Sequence, residues 1–246
     1  MRFGGSNIEG LQAMLLVLAV VLVVSGALVA GAAWGIYGKL PERVEGFIVA
    51  LAGGALLLSV VSELIQPSID RSGLFTASLG VAAGALVFTI ADYWIDEKWG
   101  SDSGGGLLAA ITLDGVPENL ALGVALIGAK PLEVAALAGS ILLSNLPEAA
   151  GGAKGMMQGD RDKRSVLLLW TGTAVLLSLA ALAGRYLLAG TSEHVLAVIR
   201  CFAAGAVVAS LATEVFPKAY KEDSHLAGVA TALGVILAIG LGELGG

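Results

Sequence analysis

From Leu11 to Gly38 the chain carries no charged side chain. That run exceeds the roughly 20 residues a helix needs to cross the hydrocarbon core of a bilayer. It also exceeds the apolar region of a secretory signal, about 7–15 residues, so a retained membrane helix is expected there. Charge-poor stretches of similar length recur at about 11–37, 44–66, 72–95, 104–128, 131–157, 165–190, 195–217 and 226–244. Turn residues separate them: Pro41, Pro67, Gly104 to Gly106, Pro131 and Gly190. The spacing predicts an all-α membrane protein with eight transmembrane helices, forming one polytopic domain over 1–246. Composition agrees: 57% of residues are hydrophobic and 14% charged, against roughly a quarter charged in soluble domains.

Several function classes drop out. There is no basic stripe for a nucleic-acid partner. Cys201 is the single cysteine, which excludes an internal disulfide and a thiolate metal cluster. No Ser–His or Cys–His pair lies within the spans, so an enzyme is not expected. Lysine and arginine bias sets the orientation. Lys39, Arg43, Lys98, Lys154, Arg161, Lys163, Arg164, Lys218 and Lys221 fall on one side. Arg2, Arg71, Lys130, Arg185 and Arg200 fall on the other. The richer side is expected to be cytoplasmic, with both termini outside and the protein in the plasma membrane. The partners expected are the lipid bilayer and a cation, with Gly80 and Gly84 as a candidate homodimer face or a site of close internal packing.

Two pairs of spans resemble each other. "AGGALLLSVVSELI" (Ala52 to Ile65) lies over "AAGAVVASLATEVF" (Ala203 to Phe216) without a gap, matching Glu63 to Glu214. "DGVPEN" (Asp114 to Asn119) matches "SNLPEA" (Ser144 to Ala149). In each pair an odd number of crossings separates the members, so they run in opposite directions. That predicts a 3+2+3 inverted-repeat bundle, an arrangement found in transporters with interrupted helices at the centre.

The Pro-Glu dipeptides are the chemical core of the pattern. Pro117 frees the carbonyl of Leu113 and Pro147 that of Leu143, and a freed carbonyl in lipid needs protein, water or an ion. Residues four apart share a helix face, which stacks Asp114 near Glu118 and Ser144 near Glu148. If the helices cross at their prolines, Asp114, Glu118, Ser144, Asn145 and Glu148 converge as an oxygen cage. Each carboxylate at a helix centre costs about 2.5–3.5 kcal/mol, and no Lys or Arg is expected deep enough to pair with them. Protons, water or a cation from solution must do so. Glu63 and Glu214 sit near opposite ends of their spans as weaker candidates for the pathway mouths. Asn119 is polar and mid-span but points about 100° from Glu118.

These residues carry a resemblance. The chain resembles the ZIP (Zrt/Irt-like) divalent metal transporters over nearly its whole length. Pro117, Glu118, Pro147, Glu148 and Asn145 match the family's paired motifs on the fourth and fifth helices. Glu214 and Glu63 are similar to acidic positions on the seventh and second. The resemblance implies a divalent metal ion as substrate, with no tightly bound cofactor, moved by alternating access through a central site. The chain departs from the family at the first motif position, usually histidine, where Asp114 and Ser144 stand; at the second position of the fourth helix Gly115 offers no ligand, and the sixth span offers no carboxylate. An all-oxygen site suits harder ions, so Mn²⁺ or Fe²⁺ is expected to rival Zn²⁺. The alternatives are a ZIP-like protein that moves no metal and acts as a sensor or structural partner, and a transporter of another solute using the same carboxylates.

Overall fold

The computed structural model describes residues 5–99, 104–127, 134–159 and 161–245. Arg2, Lys130 and Pro131 lie outside them. Among the described residues there is no strand. The helices are α1 (Gly5–Tyr37), α2 (Glu42–Ser72), α3 (Leu74–Trp99), α4 (Gly104–Ala125), α5 (Ala135–Gln158), α6 (Lys163–Leu187), α7 (Glu193–Glu222) and α8 (Ala227–Gly245). Five of them, α1, α2, α3, α6 and α7, are long and apolar enough to cross a membrane. Each boundary follows a local signal. Asp162 and Ser192 cap the starts of α6 and α7 by accepting backbone N–H bonds from Ser165 and Val195, the role short polar side chains fill at helix N-termini. Gly73, at φ 81°, turns the chain between α2 and α3, a conformation only glycine adopts without strain.

Both α2 and α7 contain a wide turn, at Val61–Ile65 and Leu211–Val215. The N–H of Gln66 reaches back to Val61 O, and that of Phe216 to Leu211 O. Each wide turn stands just before a proline, Pro67 or Pro217. Proline supplies no N–H and its ring displaces the carbonyl four residues back, and the preceding turn opens to accommodate it. Both helices then continue, so α2 ends at Ser72 rather than at 66, and α7 at Glu222 rather than at 217.

Packing follows a paired scheme. Helix α1 packs most extensively on α5, α4 on α6, α2 on α8, and α3 on α7. Glycines make these approaches. A Cβ at Gly54 would overlap the carbonyl oxygen of Thr231 on α8, and one at Gly205 that of Val81 on α3. Gly234 meets Leu51 O and Gly84 meets Phe202 O in the same way. Gly80 and Gly84 are therefore filled by α7, Gly80 against Cys201 Cβ. They do not form a free face for a second copy, because the α3–α7 backbones occupy that space.

Two larger apolar clusters hold the bundle, with a smaller third at Val49, Ala50, Ala219, Ala227 and Ala230. One joins Val60, Leu64, Leu122, Leu137, Ile141 and Leu211. The other joins Leu28, Ile111, Ala149, Trp170 and Leu177. The outer surface is also apolar, with Leu22, Phe75, Leu86, Leu168, Leu187 and Ile236 exposed. Such a surface suits lipid, and the backbone polar groups behind it are satisfied within the helices. The apolar windows of α3 and α7 are 22% and 61% buried, which puts α3 at the periphery and α7 at the centre. Helix α7 is also as apolar as α2.

Candidate metal centre

Helices α4 and α5 run through their internal prolines, Pro117 and Pro147. An interior proline costs a helix on the order of 3 kcal/mol, so two survive here only because neighbours hold the helices in place. At Gly115 a Cβ would come 2.6 Å from Leu177 Cδ1 on α6. The motif position that offers no ligand is thus where α6 packs in. Across the bundle axis, Ser144 Oγ lies 3.5 Å from Glu118 Oε1 and donates to Ile141 O at 3.0 Å. The two Pro-Glu motifs meet at that contact.

Next to it lies a narrow cavity of about 80 Å³. Helix α4 contributes Asp114 and Glu118, α5 contributes Ser144, Pro147 and Glu148, and α7 contributes Ser210, Glu214 and Lys218. Val49, Ala52 and Leu56 of α2 form the apolar wall. Glu214 stands inside the wide turn of α7, and its Oε1 is buried without a hydrogen-bond partner. Glu118 is 5% exposed. Four carboxylates and the side chain of Lys218 therefore border this small space.

One side of the cavity is apolar and continues into the core. Leu56 and Leu211 belong both to its wall and to the apolar cluster with Val60, Leu64, Leu122 and Ile141. The hydroxyls of Ser59 and Ser140 meet at 2.9 Å in the same region, joining α2 to α5. On another side, Lys218 pairs with the buried Glu45 at 3.0 Å, and Lys154 reaches the same carboxylate at 3.5 Å.

Not every expected residue faces this space. Asn145 is 1% exposed and donates to Val24 O of α1 at 3.1 Å; it ties α5 to α1 and does not border the cavity. Asn119 donates to Gly115 O of its own helix at 2.9 Å and is buried away from the cavity. Glu63 lies in the wide turn of α2, past the apolar cluster, and borders no part of the cavity. Among the described residues, no three His, Cys, Asp or Glu side chains stand close enough together to hold a metal ion. The carboxylates line the walls instead of forming a closed cage.

Two residues escaped the sequence pattern. Lys218 follows Pro217 and read as a loop residue, whereas α7 continues through the proline and carries Lys218 one turn past Glu214. The i, i+4 spacing of Glu214 and Lys218 was the available signal. Glu45 lies just inside α2 beside Arg43 and Glu42, and nothing in that local string separates a buried carboxylate from a solvated one. Arg200, expected near a span end, is 8% exposed and donates to Val124 O at 3.2 Å. No family model matches this chain, and no curated protein matches it significantly.

Proposed function

We propose that this chain moves divalent cations of the manganese, iron or zinc class across a membrane by alternating access, in the manner of the ZIP transporters it resembles. The observation that supports this most is the cavity bordered by Asp114 and Glu118 from α4, Glu148 from α5 and Glu214 from α7. Carboxylates buried in an apolar bundle need a positive partner, and these converge from three helices at two prolines.

The chemistry follows from the donors. Asp114, Glu118, Glu148 and Glu214 supply oxygen ligands, and Ser144 supplies a hydroxyl beside Glu118. A dehydrating cation would draw these side chains inward from the walls. Their spread suits an ion that binds transiently, since conduction needs a site that also releases. All-oxygen donors suit harder cations, while Zn²⁺ also accepts carboxylates.

The eight spans and the 3+2+3 inverted repeat are part of the same reading. Its support is the pairing scheme. Exchanging α1 for α6, α2 for α7, α3 for α8 and α4 for α5 turns the α1–α5 contact into α6–α4 and the α2–α8 contact into α7–α3. The Gly54–Thr231 and Gly205–Val81 approaches obey the same exchange, as do Gly234–Leu51 and Gly84–Phe202. Apolar side chains, Leu56 and Leu211, line one side of the cavity, and Lys218, paired with Glu45, lines another, an asymmetry within a frame read as pseudo-symmetric. Rocking one bundle against the other would exchange the two sides. On the lysine-rich reading of orientation, the Lys154 end faces the cytoplasm.

Uptake of Mn²⁺, Fe²⁺, Zn²⁺ and Cd²⁺ into proteoliposomes, measured in parallel, tests the proposal. Mn²⁺ and Fe²⁺ are expected to be carried at least as well as Zn²⁺. Absence of uptake for all four, across pH values and gradients, would overturn it in favour of a sensor, a structural partner or another solute.

A further inference from the structure

Glu45 is 3% exposed on α2, and both its carboxylate oxygens are paired with lysines, Lys218 at 3.0 Å and Lys154 at 3.5 Å. Lys154 is fixed further by donating to Leu40 O at 3.2 Å. The bundle leaves room for this pair: a Cβ at Gly151 would overlap Glu45 Oε1 and come 2.6 Å from Lys218 Nζ. Glu45 is buried while its two lysines are half-exposed, and the desolvation of such a carboxylate offsets much of the attraction, so stability alone is a poor account of the arrangement.

Lys218 also has a distinctive position. It borders both the central cavity and a second cavity at the Lys154 end, where Glu42, Glu45, Lys154, Lys221 and Glu222 are found; Glu222 lies beside Glu45 there, but Glu45 is the carboxylate that pairs with Lys218. Lys218 stands one helical turn past Glu214. In the register that matches Glu63 to Glu214, the position on α2 that corresponds to Lys218 is Pro67, which carries no charge. The charged device belongs to one end only.

We propose that Glu45 holds the Lys218 ammonium out of the carboxylate cavity, so that the pair sets the affinity of the site for divalent cations and gates their passage at the Lys154 end. This rests on the cation reading above. Lysine carries its charge on a flexible four-carbon stem. Without the Glu45 charge, the ammonium turns toward Glu214 and Glu148 and competes with an incoming cation as a tethered counter-ion.

The test is calorimetric titration of Mn²⁺ into the full chain purified in detergent. Wild type is compared with Glu45→Gln, Lys218→Gln and the double variant. Glu45→Gln is expected to weaken Mn²⁺ binding by about tenfold or more, a loss of the size that an uncompensated nearby charge produces. Lys218→Gln is expected to bind at least as tightly as wild type, and the double variant to recover wild-type affinity. An unchanged Glu45→Gln would overturn the proposal. So would a double variant as weak as Glu45→Gln, because a merely structural role for Glu45 gives no recovery. If Glu45→Gln fails to purify as a monodisperse species, Lys218→Gln alone decides: weaker binding overturns the proposal and equal or tighter binding supports it. Wild type that binds no Mn²⁺ would instead overturn the cation reading, and the gate with it.

Discussion

Ser144 and Glu118 meet across the bundle, hydroxyl Oγ 3.5 Å from carboxylate Oε1. Each comes from a helix that carries a proline in its interior, and each borders the same cavity. This contact is where the two motifs, thirty positions apart in sequence, become one site.

Replacing Ser144 by histidine adds an imidazole beside Glu118. Imidazole favours zinc over harder cations. Ser144→His is expected to raise the preference for Zn²⁺ over Mn²⁺ by roughly tenfold, in line with that softness ordering. Competition of Zn²⁺ with Mn²⁺ uptake measures it, and an unchanged ratio would remove Ser144 from the binding site.

Asn145 neighbours Ser144 in sequence but serves packing. Its amide donates to Val24 O, and interhelical bonds of this kind are worth about 0.6 kcal/mol in membranes. Asn145→Ala is expected to lower the thermal stability of the detergent-solubilised protein slightly and leave Mn²⁺ affinity unchanged. A large loss of affinity at normal stability would return Asn145 to the ligand set.

The glycine approaches provide a test of the repeat. Gly54→Ala and Gly205→Ala each force a methyl group into a carbonyl of the facing helix, Thr231 or Val81. Overpacking of this kind costs about 1–3 kcal/mol, and the two variants should lose stability by similar amounts. Gly172, where an added methyl group would meet nothing within 4 Å, is the control: Gly172→Ala is expected to be neutral or slightly stabilising, because glycine is the poorer helix former. Unequal losses at Gly54 and Gly205 would count against equivalent roles in two repeats.

Uncharged runs of bilayer length were legible because lipid and an apolar core make the same demand on them. Span ends near 37, 104, 157 and 226 agree with α1, α4, α5 and α8 to within a few residues. The ends at 66 and 217 did not, because Pro67 and Pro217 would usually stop a helix, and here wide turns absorb both. The difference at 217 hid Lys218. The side-chain directions were harder to read. Asn145 lies three residues before Glu148, close enough in angle to share its face, yet α1 occupies that side and presents Val24 O. Gly80 and Gly84 read equally as a dimer face or internal packing, and only the position of α7 decides. Long-range placement of helices is not written in local periodicity, so the sequence pattern named the carboxylates of α4 and α5 without identifying the lysine that faces them.

The most direct test of the account is Mn²⁺ uptake by proteoliposomes containing wild type or the Glu118→Gln, Glu148→Gln double variant, both verified as folded and inserted. The account predicts uptake by wild type and its collapse in the double variant, since two of the four cavity carboxylates lose their charge. Equal uptake by the two proteins would contradict it, because the cation would then be crossing by a route that does not use the Pro-Glu pair.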